Sequence, residues 1–400
     1  MASRRRLLSR VAAAVGISSL AGCTGSEPSL DLPPNPRADS LPALQHDWVG
    51  GMRTDEHGNP LLPRFHRVLM LDATAPIDDA LRERVERACR ALEAAYDWSS
   101  ADLLHTWAWG TGYFEKQGSL GRAPIRRPRV LSRTDDPDLR SFDAALVLAS
   151  DTESHLTATE AALFGDRDTL GGAPVEAPLG DLFDRRRRVT GFMGEGLPAA
   201  HADAEGIPEG APLDGAPGFM GFRSGRVRTQ ASLDRVTKSG GRWDGGTTMH
   251  LSHLTFSLDG WYAMDMPDRV ARMFSPDVTP EEAETYDTDV PFADAVREHA
   301  RDYGVVGHTE KMARARENGE PILLRRDFNT VDGGRAGLHF LSYQRSLADF
   351  ETARDAMNGW WLRDDHPSIT DRQNNGLLNF VTVRSRANFY VPPRARRATP

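Results

Sequence analysis

From residue 65 onward, short apolar runs alternate with amphipathic stretches. Residues 65–71, Phe-His-Arg-Val-Leu-Met-Leu, read as a strand, and Thr74-Ala75-Pro76 supplies a helix start with Asp78 and Asp79 in the first turn. Ile77, Leu81, Val85, Cys89, Leu92 and Tyr96 then recur at spacings of three and four, which gives that helix one apolar face. Residues 103–109 and 144–148 read as strands, 157–164 as a second helix and 188–192 as a closing strand. Strand, helix, strand, strand, helix, strand is the order of a ferredoxin-like unit. A Gly/Pro/Arg-rich segment, 110–140, interrupts it.

The order recurs downstream. Residues 247–258 predict a strand, 261–273 a helix, 321–326 and 338–343 two strands, 347–358 a helix with Leu347, Phe350 and Met357 on one face, and 377–383 a last strand. The fold class expected is therefore α+β: duplicated ferredoxin-like domains whose antiparallel sheets pack together with helices outside. The expected division is a signal peptide at 1–22, a linker at 23–60, an N-terminal domain at 61–190, a glycine-rich region at 191–246 and a C-terminal domain at 247–395. The region 191–246 holds Gly191-Phe192-Met193-Gly194 and its echo Gly218-Phe219-Met220-Gly221. Loops of such length in a compact protein are usually functional or disordered.

The leader puts Arg4, Arg5, Arg6 and Arg10 ahead of an apolar run, residues 11–20, with no acid before Glu27. Ten apolar residues are too few to span a bilayer, so this is a processed targeting segment. Ser3-Arg4-Arg5-Arg6-Leu7-Leu8 resembles a twin-arginine signal, and Leu20-Ala21-Gly22-Cys23 resembles a lipobox whose cysteine is lipidated. These imply export of folded cargo by the twin-arginine translocase and a lipid anchor at Cys23 on the outer face of the cell membrane.

Removing residues 1–22, with four arginines and no acid, takes the formal charge from -8 to -12. An acidic chain argues against nucleic-acid binding. Only Lys116, Lys238 and Lys311 are lysines. The second cysteine, Cys89, falls in a helical pattern and has no partner once Cys23 is lipidated, which excludes a cysteine metal site. Oligomerisation is left open.

The run Ile322-Leu323-Leu324-Arg325-Arg326-Asp327-Phe328-Asn329, then Gly337-Leu338-His339-Phe340-Leu341-Ser342-Tyr343-Gln344-Arg345, resembles the C-terminal half of the dye-decolorising peroxidases. Gly246-Thr247-Thr248, Leu258-Asp259-Gly260-Trp261 and the ending Phe389-Tyr390-Val391-Pro392-Pro393 are similar to that family too, and the resemblance covers residues 190–395. It implies a b-type haem and the reduction of hydrogen peroxide by an unidentified electron donor. His308, 17 residues before Arg325, would bind iron through a neutral imidazole nitrogen, preferably oriented by a carboxylate on the other nitrogen. Arg325 would stabilise negative charge developing on the cleaving peroxide. Arg326 would meet a haem propionate or an acid, and stays an alternative for the role of Arg325.

The family's Gly-x-x-Asp-Gly loop corresponds here to Gly191-Phe192-Met193-Gly194-Glu195-Gly196. Glu195 is thus the expected proton-moving acid, displaced by one residue and longer by one methylene. Two alternatives stay open: a haem-binding or haem-delivery lipoprotein without turnover, and a peroxidase-fold protein that has lost haem. His250 and His253 would point to opposite faces of a strand, which argues against a shared metal.

Overall fold

The computed structural model describes residues 30, 32–284 and 295–400. The leader and Cys23 lie outside the described residues. The first half runs β1 Phe65–Ala73, α1 Asp79–Ala95, β2 Leu104–Gly110, β3 Ala144–Ser150, α2 Glu153–Leu163 and β4 Phe183–Phe192. Asp78 caps α1 by accepting from the Leu81 amide at 3.0 Å, and Leu81, Val85, Cys89 and Leu92 form its buried stripe.

The second half begins with β5 Thr247–Phe256 and two short helices, α3 Leu258–Tyr262 and α4 Met266–Met273. The single helix expected over 261–273 is broken because the Asp265 carboxylate accepts from the Asp268 amide and Pro267 follows, so a fresh helix starts there. Then come α5 Val296–Tyr303, α6 His308–Met312, β6 Leu324–Arg325, β7 Phe328–Thr330, β8 Gly337–Gln344, α7 Leu347–Asn358 and β9 Val381–Val391.

Strand order is β4-β1-β3-β2 in the first half and, counting β6 and β7 together, β7-β8-β5-β9 in the second. Both are antiparallel ferredoxin-like arrangements with the same internal order. The halves are joined at both edges. β4 meets β7 at Phe192 and Asn329, and β2 meets β9 through Gly110 with Phe389 and Trp109 with Tyr390. The strands therefore close into one ring.

Alternation along each strand sorts the side chains. Val68, Met70, Ala145, Val147, Met249, Leu251, Leu341 and Phe389 fill the space between the facing sheets. Leu69, Leu71, Trp107, Leu146 and Leu148 turn outward to pack on α1 and α2. In the second half the outward face of β5, β8 and β9 is covered by α6 and α7, and a cavity opens between sheet and helices.

The last strand departs most from expectation, at Val381–Val391 instead of 377–383. Its register slips between His253 and Leu254 of β5: Leu254 opposes Val383, whereas His253 opposes Ser385. The extra residue, Arg384, resets the alternation, so Arg386 joins Val381 and Val383 on the cavity side.

Candidate active site

The cavity has a volume of about 320 Å³, within the range of small-molecule sites. Leu254, Phe256, Leu338, Phe340, Phe350 and Met357 give it apolar walls. Met193 and several residues between 217 and 229 cross its mouth, so the glycine-rich region is the covering of the site.

His308 and Arg325 both line this cavity. His308 opens α6, and the backbone around it is packed so closely that only glycine fits at two neighbouring positions. A Cβ on Gly307 would strike the Phe274 carbonyl. Gly376 has φ +60°, and a Cβ there would stand 3.0 Å from both Cα and N of His308. Lys311, one turn on, is fully buried, and its Nζ donates to the carbonyls of Met357 at 2.7 Å and Asn375 at 3.0 Å. These contacts clamp α6 to the end of α7 and to the loop before β9.

Nδ1 of His308 is buried with no hydrogen-bond partner among the described residues, which leaves Nε2 as the nitrogen open to the cavity. Burial, followed by the charges of Lys311, Arg325 and Arg354, pushes the imidazole down to about 3. The ring is therefore neutral at physiological pH, the form that binds metal. The carboxylate expected behind it is absent among the described residues. Glu310, the buried acid of the same helix, instead accepts from the Gly307 amide and pairs with His299 Nδ1 at 2.8 Å.

Arg325 Nη1 donates to Ser224 Oγ at 3.3 Å and Nη2 to Thr229 Oγ1 at 3.0 Å, which fixes the guanidinium at the cavity wall. Arg326 corrects an expectation. It faces the opposite side, buried in the core between the sheets with its guanidinium 6.0 Å from the Trp48 ring, and it does not line the cavity. Alternation along the chain separates the two neighbours, so Arg326 is in place neither for a propionate nor for the role of Arg325. Burial lowers it to about 10.

Glu195 is the second correction. Its side chain is 65 % exposed and accepts from Arg223 Nη2 at 2.9 Å, outside the cavity lining. The loop turns it outward because Arg223, also bound to Asp55 at 2.8 Å, holds it there. The acid that does line the cavity is Asp327. Two further residues that the sequence reading missed are Arg354 of α7 and Arg386 of β9, which line the cavity and share Asp135 Oδ2 at 2.7 and 2.8 Å. Two guanidiniums on one carboxylate leave a positive wall, and in both the Nε is buried without a partner.

A neutral imidazole lining an apolar cavity, with two guanidiniums on its wall, fits haem b: a ligand for the iron, apolar walls for the ring and cations for its propionates. His250, by contrast, is stacked on Phe350 with centroids 3.6 Å apart and bonded to Asn388, while His253 lies beside His339, 4.7 Å away. They hold no common site. Arg185 and Arg188 pair with Glu160, and Arg186 with Asp72, away from the cavity.

The ring of two ferredoxin-like sheets with a cavity on the outer face of the second is the DyP-type peroxidase fold. DyPB from Rhodococcus jostii RHA1 matches over 84 % of this chain and 95 % of its own, with a TM-score of 0.56 and 12 % identity. The DyP-type peroxidase from Cellulomonas bogoriensis matches over 85 % and 94 %, with a TM-score of 0.55 and 20 % identity. The encapsulated DyP-type peroxidase from Mycobacterium smegmatis matches over 88 % and 98 %, with a TM-score of 0.54 and 14 % identity. The chain itself belongs to a family of unknown function, DUF7405, whose model matches residues 63–393. No curated protein matches its sequence.

Proposed function

We propose that this protein is a haem-dependent peroxidase that reduces hydrogen peroxide while oxidising an unidentified donor. The observation that carries the reading is that His308 and Arg325 open into one apolar cavity. The fold is that of DyP-type peroxidases, and a variant of the Rhodococcus relative has been solved in complex with heme. His308 Nε2 would hold the iron, and Arg354 and Arg386 would meet the propionates. Bound haem would supply the redox chemistry. Arg325, held by Ser224 and Thr229, donates to the oxygen on which negative charge develops, at little reorganisation cost.

The test is titration of haem into the wild-type protein and His308→Ala, followed by peroxide and a dye. A Soret band that is lost in the variant, with dye oxidation by the wild type, supports the reading; an unaltered Soret band in the variant sinks the ligand assignment. The exposed position of Glu195 favours a second reading, a haem-binding or haem-delivery protein without turnover. A Soret band with no dye oxidation at any pH would select it.

The leader suggests where the protein works. We infer export by the twin-arginine route and a lipid on Cys23, which suits a protein that takes up its cofactor before leaving the cytoplasm. Cys23→Ala should release the protein from the membrane fraction, and retention there would defeat the anchor.

A further inference from the structure

With Glu195 outside the cavity, one acid remains on the described wall. Asp327 is 3 % exposed and lies two residues beyond Arg325, so both project to the cavity while Arg326 between them projects away. The two are linked through one hydroxyl: Ser224 Oγ accepts from Arg325 Nη1 at 3.3 Å and donates to Asp327 Oδ2 at 3.2 Å. The other oxygen, Oδ1, is buried without any hydrogen-bond partner. A carboxylate oxygen left bare in a buried position costs stability, and such a cost is characteristic of functional sites.

We propose that Asp327 is the proton-carrying carboxylate of this site, in place of Glu195; the inference rests on the haem peroxidase reading. Overall, hydrogen peroxide takes up two electrons from the organic donor and two protons and leaves as two waters. Asp327 contributes a proton transfer with no net change. The carboxylate accepts the proton of one peroxide oxygen and returns it to the other, so that the oxygen departing when the O–O bond breaks leaves as water and not as hydroxide. Ser224 holds Oδ2 of this carboxylate, and Arg325 donates to the oxygen left negative. The acid thus comes from the link between β6 and β7, two residues beyond the arginine, and not from the loop over the cavity.

The experiment uses the haem-loaded full chain as wild type, Asp327→Asn, Ser224→Ala and Glu195→Gln. Three quantities are read: the Soret band, the rate of cyanide association and dye oxidation against pH. Hydrogen cyanide must give up a proton to bind iron, so its association reports a base in the cavity without turnover. Asp327→Asn should keep the Soret band and the unfolding midpoint, and lose about 10²-fold or more in both rates. Ser224→Ala, at an exposed position, should show a smaller loss and a displaced pH profile even if Asp327→Asn does not fold. Glu195→Gln should behave as wild type. Unchanged cyanide and dye rates in Asp327→Asn or, where that variant does not fold, an unchanged pH profile in Ser224→Ala would overturn the proposal, as would a loss carried by Glu195→Gln. A wild type that shows no Soret band overturns the haem reading and this inference together, a result distinguishable from failure of Asp327 alone.

Discussion

Lys311 Nζ donates to both the backbone and the side-chain oxygen of Asn375, so the helix that begins with His308 is fastened to the loop leading into the last strand. Burial pushes the Lys311 amine well below its usual range, and three oxygens lie within hydrogen-bond reach of its Nζ. Replacing Lys311 by Met takes this donor from the Met357 carbonyl and the Asn375 side-chain oxygen, while the Asn375 carbonyl keeps only the Leu378 amide at 3.4 Å. We expect a loss of about 3–5 kcal/mol in unfolding free energy by urea titration, with weaker haem uptake as His308 loses its footing.

Arg325 and Arg326 should separate in function although they are adjacent in sequence. Arg325→Leu should lower dye oxidation by about 10²–10³-fold, the range for removing one donor to a developing oxyanion. Arg326→Leu, at a site facing Trp48 between the sheets, should lower turnover less than Arg325→Leu does and should cost stability, because it removes a buried donor from the Arg325 carbonyl and a charge from near Asp327 and Asp47. Steady-state rates and melting curves on the two variants decide it.

A second buried ion cluster ties the chain end to α1. Arg397, fully buried, donates to Glu86 at 2.8 Å and to Glu93 at 3.1 Å, and Glu93 also pairs with Arg394. Although burial opposes ionisation, hydrogen bonding and charge from Arg397 together with the neighbouring cations hold Glu93 down at about 2. Arg397→Met should destabilise the fold by about 3–5 kcal/mol, because Glu86 and Glu93 are left short of countercharge. Unfolding by urea measures the loss.

Acid should unfold this protein steeply. Burial lowers His46, His105, His250 and His308 to about 3 and His66 and His253 to about 4. Each takes up a proton on unfolding at a pH between its folded value and the ordinary histidine value of about 6.5, so stability is complete above that window and lost as pH falls toward the folded values. Each group contributes a slope of up to about 1.4 kcal/mol per pH unit in that window. The melting temperature should therefore drop sharply between about pH 6 and 4, with net proton uptake of several per molecule. A flat profile there would contradict the burial of these rings.

Much of the architecture could be read from pattern alone. The helix expected at 347–358 occurs as Leu347–Asn358, since its apolar positions and the Ser346 and Gly359 ends agree. The last strand was illegible because Arg384, Arg386 and Asn388 break its apolar alternation, and only the bulge explains why they fit. His308 and Arg325 were found through resemblance, and the structure puts both in one cavity. Glu195 was chosen by its place in a loop, whereas side-chain phase was the better signal: extended chain that sends Arg325 into a cavity sends Asp327, two residues on, there too. Arg354 and Arg386 carried no such signal, because each is a single polar residue whose direction depends on contacts made more than 200 residues away, at Asp135.

The ring of strands has a further consequence for how the chain reaches its native state. β9 is the last strand, and it pairs with β5 and also with β2, whose residues lie some 280 positions earlier. Closure has to wait for β9, so the contact order is high and folding should be slow. Until then two strand edges stand unpaired, and the interval before β9 docks is when this protein is most exposed to aggregation.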